Sequence, residues 1–183
     1  AEWLRHLRAD EIVNDAERVR EALGASQWTV LGQSFGGFTT LHYLSTHPES
    51  LAGALVTGGL SAVQHPVDDI YAATWQVMIA KSEDFYRRFP GDRDRVRELS
   101  ALCAEGRISL PNGDLVSPER FRTIGHRLGM QSGAEAVHYL LGLDHTSSAF
   151  AHDLAGALPF EARNPLYAVL HESSNADGVR TGW

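Results

Sequence analysis

Ser34 lies within the hexapeptide Gly32-Gln33-Ser34-Phe35-Gly36-Gly37, whose residue types and spacing suit a nucleophilic serine. When a strand turns sharply into a helix, the residue at the apex has a strained backbone, and small residues two positions away on each side avoid collisions. Gly32 and Gly36 occupy these two positions. Such a turn exposes the serine hydroxyl, and the following helix directs free backbone N–H groups toward an anion formed there. The motif therefore predicts that Ser34 is a nucleophile.

The residues around the motif predict the elements that would position this serine. The apolar run Trp28-Thr29-Val30-Leu31 predicts a strand that leads into the turn, and a helix is predicted from about Gly36 to Thr46. Residues 51–57 are apolar and are followed by Gly58-Gly59, which predicts a second buried parallel strand. Strand, turn, helix and strand in this order indicate an α/β fold with a parallel sheet.

The flanking sequence predicts helices. An amphipathic helix is predicted between Asp10, as its N-cap, and Gly24, which ends it. After about Ser61 the pattern predicts helices near 67–89, 92–105, 117–129, 133–143 and 160–172, with no further buried strand. We therefore expect a partial sheet domain over residues 1–60 and a helical cap over residues 61–183. The aromatic residues of the cap are expected in its core: Tyr71, Trp75, Phe85, Tyr86, Phe121, Tyr139, Phe150, Phe160 and Tyr167.

The composition argues against several classes of partner. The chain has 183 residues, 43% of them hydrophobic, which is enough to bury a globular core. A net charge of -7 without a basic cluster argues against nucleic acid and against an anionic membrane surface. No apolar run reaches membrane-spanning length, and no signal sequence is recognised. Cys103 is the single cysteine, which excludes an internal disulfide and indicates a reducing compartment, for which we expect the cytoplasm.

A serine hydroxyl is a poor nucleophile without a base to accept its proton and an acid to orient that base. Asp144-His145 lies in the predicted helical region and His171-Glu172 on a predicted helix, whereas the acid and base are expected at the ends of later strands. The other histidines are expected to be surface or hydrogen-bonded side chains. We therefore expect both partners of Ser34 to lie beyond Trp183 in a longer protein, which would leave the isolated chain inactive.

Several segments together resemble one enzyme family, the prolyl aminopeptidases (proline iminopeptidases) of the α/β-hydrolase superfamily, in their longer bacterial form. The Gly-x-Ser-x-Gly turn by itself is typical of the superfamily's nucleophile elbow. The segments are Leu7–Glu17, Leu31–Phe38 and Val56–Leu60, and in the helical part Leu128–Met130, Ala136–Leu141 and Pro165–Glu172. This resemblance implies a partial α/β-hydrolase core, a parallel sheet with the nucleophile elbow, followed by a helical cap.

The resemblance also implies an activity: release of an N-terminal proline from a small peptide through an acyl-enzyme on Ser34, without a metal or organic cofactor. The backbone N–H of Phe35 would supply half of the oxyanion hole, and a His-Gly-Gly-Pro type loop before Ala1 would supply the other half. Glu172 would bind the free amine of the substrate, and Gln33 would contact the substrate. A carboxylate facing the amine would select an unblocked terminus.

Two other functions remain open. The same elbow and cap serve esterases, amidases and carbon–carbon hydrolases, which would cleave a blocked acetyl-proline arylamide as fast as the free compound. A catalytically silent binding protein on this fold would fail to react with a fluorophosphonate at Ser34. The sequence indicates no particular oligomeric state.

Overall fold

The computed structural model describes residues 2–60 and 63–159, together with Tyr167, Ser174, Val179 and Arg180. The chain divides into two compact units, one that includes Ala1–Pro66 and one formed by Val67–Leu170. In the described residues the first unit contains both strands, and the second unit is helical. In this same part of the chain, no helix is both long enough and apolar enough to cross a membrane.

The first unit is built on two parallel strands, β1 (Trp28–Gln33) and β2 (Leu51–Thr57). Helix α2 (Phe35–Thr46) connects them and packs against both, and helix α1 (Ala9–Ala22) packs against α2. Short 3₁₀ helices lie at Glu2–Leu7 and Pro48–Ser50. The strand, turn, helix and parallel strand predicted from the sequence are therefore confirmed.

Two details of the first unit differ from the predictions. Asp10 is not the N-cap of α1, because Arg8 occupies that position and Asp10 lies in the first turn, where a carboxylate is favourable to the helix dipole. The second strand is not fully buried: the side chain of Leu55 is 59% exposed, and its partner in register on β1, Leu31, is 69% exposed. Gly24 ends the segment as predicted, with φ at 65° and its N–H donating to Glu21 O at 2.9 Å.

The second unit is a helical bundle with its own core. Its helices are α3 (Val67–Arg88), α4 (Asp92–Ala104), α5 (Pro118–Arg122), a 3₁₀ helix at Thr123–Gly129, α6 (Gly133–Gly142) and α7 (Ser148–Ala157). Phe85, Phe121 and Phe150 are buried among leucine, isoleucine and valine side chains of this unit. An antiparallel bridge joins Ser109 to Leu115.

The helical predictions are confirmed near 67–89, 92–105 and 133–143, and two segments differ. Residues 117–129 form α5 and then a 3₁₀ helix instead of one helix. Helix α7 was not predicted, although the Ser147 hydroxyl accepts the N–H of Phe150 at 3.1 Å as an N-cap and Leu154 follows at helical spacing. Almost all of the helix predicted at 160–172 falls outside the described residues.

The prediction for the cap aromatics is confirmed for Phe85, Phe121 and Phe150 and is wrong for Trp75 and Tyr139, which are 66% and 62% exposed. Trp75 lies on a stretch of α3, residues 71–77, that is exposed throughout. Tyr139 lies on the side of α6 opposite the buried residues of that helix. Tyr71 and Tyr167 are also exposed, Tyr86 is half-buried, and Phe160 lies outside the described residues.

A partly buried polar network, here called the Glu17 network, consists of Glu17, Arg20, Trp28, Tyr43 and Ser50. Arg20 donates from Nε and Nη2 to the two Glu17 carboxylate oxygens at 2.9 and 2.8 Å. Ser50 Oγ donates to Glu17 Oε2 at 3.0 Å, and the Tyr43 hydroxyl donates to Glu17 Oε1. Trp28 Nε1 donates to the Tyr43 oxygen at 2.9 Å. The network therefore joins α1, β1, α2 and the turn before β2.

The charge of Glu17 is stabilised within this network. Hydrogen bonds from Arg20, assisted by those from Tyr43 and Ser50, outweigh burial and lower the pKa of Glu17 from 4.5 to about 2. Since the folded protein favours the carboxylate, Glu17 contributes stability that is fully present above pH 4.5. This contribution is lost as the pH falls from 4.5 toward 2.

We expect Glu17→Gln to lower the free energy of unfolding at pH 7 by roughly 1–3 kcal/mol, because Arg20 loses its charged partner. The stability of the variant should also fall less than that of the unaltered protein between pH 4.5 and pH 2, because its residue 17 cannot be protonated there. Urea unfolding followed by circular dichroism across this pH range measures both effects. Glu21→Gln is the matched control, since Glu21 lies on the same helix, 3.9 Å from Arg20, but is exposed. Equal losses in the two variants would contradict the role given to the network.

Candidate active site

Ser34 occupies the apex between β1 and α2. Its backbone has φ 54° and ψ -118°, a region that residues other than glycine rarely adopt, and its side chain is exposed. Such strain persists only where the surrounding structure holds it in place. The turn thus presents the serine hydroxyl away from the sheet, as a nucleophile elbow requires.

Close packing around the elbow explains why position 32 is a glycine. A Cβ atom on Gly32 would lie 2.2 Å from the carbonyl oxygen of Gly36 and 2.3 Å from Thr40 Oγ1. The matching prediction for Gly36 is wrong in the described residues, because a Cβ there would meet nothing within 4 Å. The next residue, Gly37, is the constrained one: its Cβ would lie 2.3 Å from the carbonyl oxygen of Gly58. The elbow therefore needs small residues two positions before and three positions after Ser34.

The first turn of α2 supplies backbone donors beside Ser34. The helix begins at Phe35, and the first N–H groups of a helix have no acceptor within it. The N–H of Gly37 donates to the Ser34 carbonyl oxygen at 2.8 Å. This leaves the N–H groups of Phe35 and Gly36 at the positive end of the helix dipole, where an anion would be stabilised.

The carboxyl ends of the two strands lie side by side at the elbow. Gln33 is in register with Thr57, and both side chains are exposed. In open parallel sheets, ligands bind outside the carboxyl ends of the strands. The structure therefore places Gln33 at the expected edge, next to Ser34 in the chain. Glu172 lies outside the described residues.

The acid and base candidates have other contacts. Asp144 Oδ1 accepts the backbone N–H and the hydroxyl of Thr146 at 2.9 and 2.8 Å, and these hydrogen bonds lower the pKa of Asp144. Its carboxylate thus shapes the turn before α7. His138 Nδ1 lies 2.8 Å from Oδ2 of the buried Asp92, and its ring stacks on Phe89. That pair was not predicted from the sequence, because its members are far apart in the chain and lack a local motif.

Two further histidines also contact groups other than Ser34. His126 Nδ1 lies 3.3 Å from the carbonyl oxygen of Thr123, and His47 Nδ1 lies 3.8 Å from the Glu49 carboxylate. Together with His138, these residues have the surface or hydrogen-bonded surroundings predicted for them.

Sequence matches to known proteins agree with this geometry. Residues 2–146 match the family described as alpha/beta hydrolase fold. A protein named proline iminopeptidase from Aeromonas sobria is 36% identical over 188 aligned residues that include all of this chain. A proline iminopeptidase from Aspergillus aculeatus is 30% identical over 195 aligned residues, again with the whole chain covered. A shorter match, 44% identical over 48 residues, is to a proline iminopeptidase from Neisseria gonorrhoeae and covers 26% of this chain and 16% of that relative.

The chain spans less than half the length of the curated relatives that match it throughout, 44% of the Aeromonas protein and 43% of the Aspergillus protein. The names of these relatives therefore describe proteins more than twice as long as this chain. Activity and substrate are properties of such a whole protein.

Packing at the elbow predicts opposite outcomes for two glycines of the motif. We expect Gly32→Ala to lower the free energy of unfolding by roughly 2–4 kcal/mol, because its methyl group would collide with backbone of α2. Gly36→Ala should leave stability unchanged or raise it by up to about 1 kcal/mol, since the site is open and alanine favours helix. Urea unfolding of both variants measures the difference. Equal destabilisation by the two would show that the contact at Gly32 is not the cause.

Proposed function

Because the chain belongs to the α/β hydrolase fold family, we propose that Ser34 is the nucleophile of a prolyl aminopeptidase, a serine peptidase that releases N-terminal proline from peptides. The strained, exposed elbow at Ser34 is the observation that carries the proposal. The names of the relatives support the choice of substrate. The proposal concerns the whole protein.

The proposed reaction has two halves. Ser34 Oγ attacks the carbonyl carbon of the N-terminal proline, a C–O bond forms, and the hydroxyl proton passes to a histidine base. Collapse of the tetrahedral intermediate breaks the C–N bond, and the base returns the proton to the leaving amine. Water then attacks the prolyl ester by the same route, which releases proline and restores the hydroxyl of Ser34.

Charge that develops on the carbonyl oxygen would be stabilised at the start of α2. The N–H of Phe35 belongs to the peptide bond that follows Ser34, so it lies beside the attacked carbonyl. Removing one such donor typically lowers kcat by about 10²–10³-fold. We therefore assign Phe35 N–H as one oxyanion donor.

Substrate selection is assigned to Glu172 and Gln33. A carboxylate at Glu172 would pair with the protonated secondary amine of proline, and a blocked terminus would leave that carboxylate without a partner. Gln33 is exposed beside the elbow, where its amide would contact the peptide. The proposal keeps residues 61–183 as the helical cap that the resemblance to this family implies.

Cys103 supports a reducing compartment, such as the cytoplasm, as part of the proposal. It is the single cysteine of the sequence and is buried in the helical unit. Burial raises the pKa of its thiol, which keeps it in the unreactive protonated form.

We expect Ser34→Ala to lower the rate of proline arylamide hydrolysis by at least roughly 10³-fold, because the acyl-enzyme cannot form. The assay uses protein expressed from the complete reading frame. A fluorophosphonate should label the unaltered protein at Ser34 and leave the variant unlabelled. Failure to label the unaltered protein would favour a silent binding protein on this fold.

Glu172→Gln should raise KM for proline arylamide by roughly tenfold or more, because the amine loses a charged partner. The variant should also lower the ratio of kcat/KM for proline arylamide to kcat/KM for acetyl-proline arylamide. Glu119→Gln changes an exposed glutamate on α5 and is the control. It should leave the kinetic constants for both substrates unchanged. Rapid cleavage of the blocked substrate by the unaltered protein would instead favour an esterase or amidase.

A further inference from the structure

The turn after β2 lies against the peptide bond of the nucleophile. Gly58 and Gly59 follow this strand, with φ at 84° and 78°. A Cβ atom on Gly59 would lie 1.7 Å from the carbonyl oxygen of Ser34 and 2.6 Å from its carbonyl carbon. The backbone at Gly59 thus packs directly on the carbonyl group of Ser34, with no room for a side chain between them.

This carbonyl group is held from a second direction. The N–H of Gly37 donates to the Ser34 oxygen at 2.8 Å. A Cβ on Gly37 would lie 2.3 Å from Gly58 O and 2.8 Å from Gly59 O, so the first turn of α2 also packs on the Gly58–Gly59 turn. Contact with Gly59 and the hydrogen bond from Gly37 together fix the position of the Ser34 oxygen.

The peptide bond transmits this constraint to the oxyanion donor. The C=O of Ser34 and the N–H of Phe35 belong to one planar peptide unit and point in nearly opposite directions. A rotation of this unit that moves the Ser34 oxygen therefore also turns the N–H of Phe35. A group that fixes one end of this unit fixes the direction of the other.

We propose that Gly59 is a positioning residue that sets the direction of the Phe35 N–H, and hence the stabilisation of the oxyanion formed at Ser34. The inference rests on the proposed function of Ser34. Gly59 acts through contact with the Ser34 carbonyl and does not itself touch the substrate. Only glycine meets both requirements at this position, a positive φ and the absence of a Cβ atom.

Three alanine variants separate contact from backbone strain. Gly59→Ala adds strain at a positive φ and a collision with Ser34, whereas Gly58→Ala adds similar strain in open space. Gly24→Ala adds the same kind of strain, at φ 65° and in open space, at the end of α1. The variants are made in protein expressed from the complete reading frame, and fluorophosphonate titration counts the active sites in each preparation.

We expect Gly59→Ala to lower kcat per titrated site by roughly 10²-fold with KM changed by less than about threefold, because the oxyanion contact forms only in the transition state. The inhibition constant of proline aldehyde, whose adduct with Ser34 carries an oxyanion, should rise by a similar factor. Inhibition by free proline should stay the same. Gly58→Ala should lose less than about tenfold in kcat, and Gly24→Ala should retain full activity.

Two results would overturn the inference. The first is an unchanged inhibition constant for the aldehyde in Gly59→Ala, since a loss of folded protein alone lowers total activity without altering that constant. The second is an equal loss in Gly58→Ala, which would assign the effect to backbone strain. If Gly59→Ala does not fold, Gly37→Ala decides the matter, because its methyl group displaces the same turn without a positive φ. Unchanged aldehyde binding in Gly37→Ala would then reject the proposal.

Failure of the proposed function has a different signature. If fluorophosphonate does not label Ser34 in the unaltered protein, the nucleophile assignment is wrong and the role of Gly59 falls with it. If the unaltered protein is labelled and the glycine variants bind the aldehyde normally, Ser34 remains the nucleophile and only the positioning role is rejected.

Discussion

The close approach of backbone segments around the Ser34 carbonyl is the constraint on which the elbow depends. A residue other than glycine at φ 54° carries strain of about 1–3 kcal/mol, which persists only when its neighbours exclude the relaxed alternatives. Glycines at positions 32, 37 and 59 let β1, α2 and the turn after β2 come within contact distance. Within the elbow, Ser34 thus has the strained backbone and an exposed side chain, while the glycines packed around it avoid collision by having no side chain.

The Glu17 network fixes the opposite end of the same strand–helix–strand unit. Trp28 begins β1, Tyr43 lies in the last part of α2, and Ser50 immediately precedes β2. Glu17 and Arg20 on α1 connect these residues through hydrogen bonds. The unit is therefore held by directional polar contacts at the amino ends of its strands and by glycine contacts at their carboxyl ends, where Ser34 lies.

Local features of this chain could be predicted from the sequence, and contacts between distant residues could not. The strand before Ser34, the turn and the helix after it follow from a short motif and hydrophobic periodicity, which report on neighbours in the chain. The Glu17 network joins α1 to Ser50, and the constraint on Gly59 comes from Ser34. Neither of these long-range contacts produces a periodic pattern in the sequence. For the same reason a helical stripe predicts an apolar face, yet it did not distinguish the buried Phe85 from the exposed Trp75.

The distribution of apolar burial explains why the elbow relies on such specific contacts. Among the described residues of the first unit, the buried hydrophobic side chains are Val13 and Tyr43, whereas the helical unit has a continuous core from Phe85 to Leu158. Burial of one large apolar side chain contributes about 1.5–3 kcal/mol, which is similar to the strain at Ser34. Apolar packing is also non-directional, so it would not select one orientation of a peptide bond. Hydrogen bonds and backbone contacts are directional, and for that reason they can hold the backbone carbonyl of Ser34, and with it the peptide bond to Phe35, in a fixed geometry.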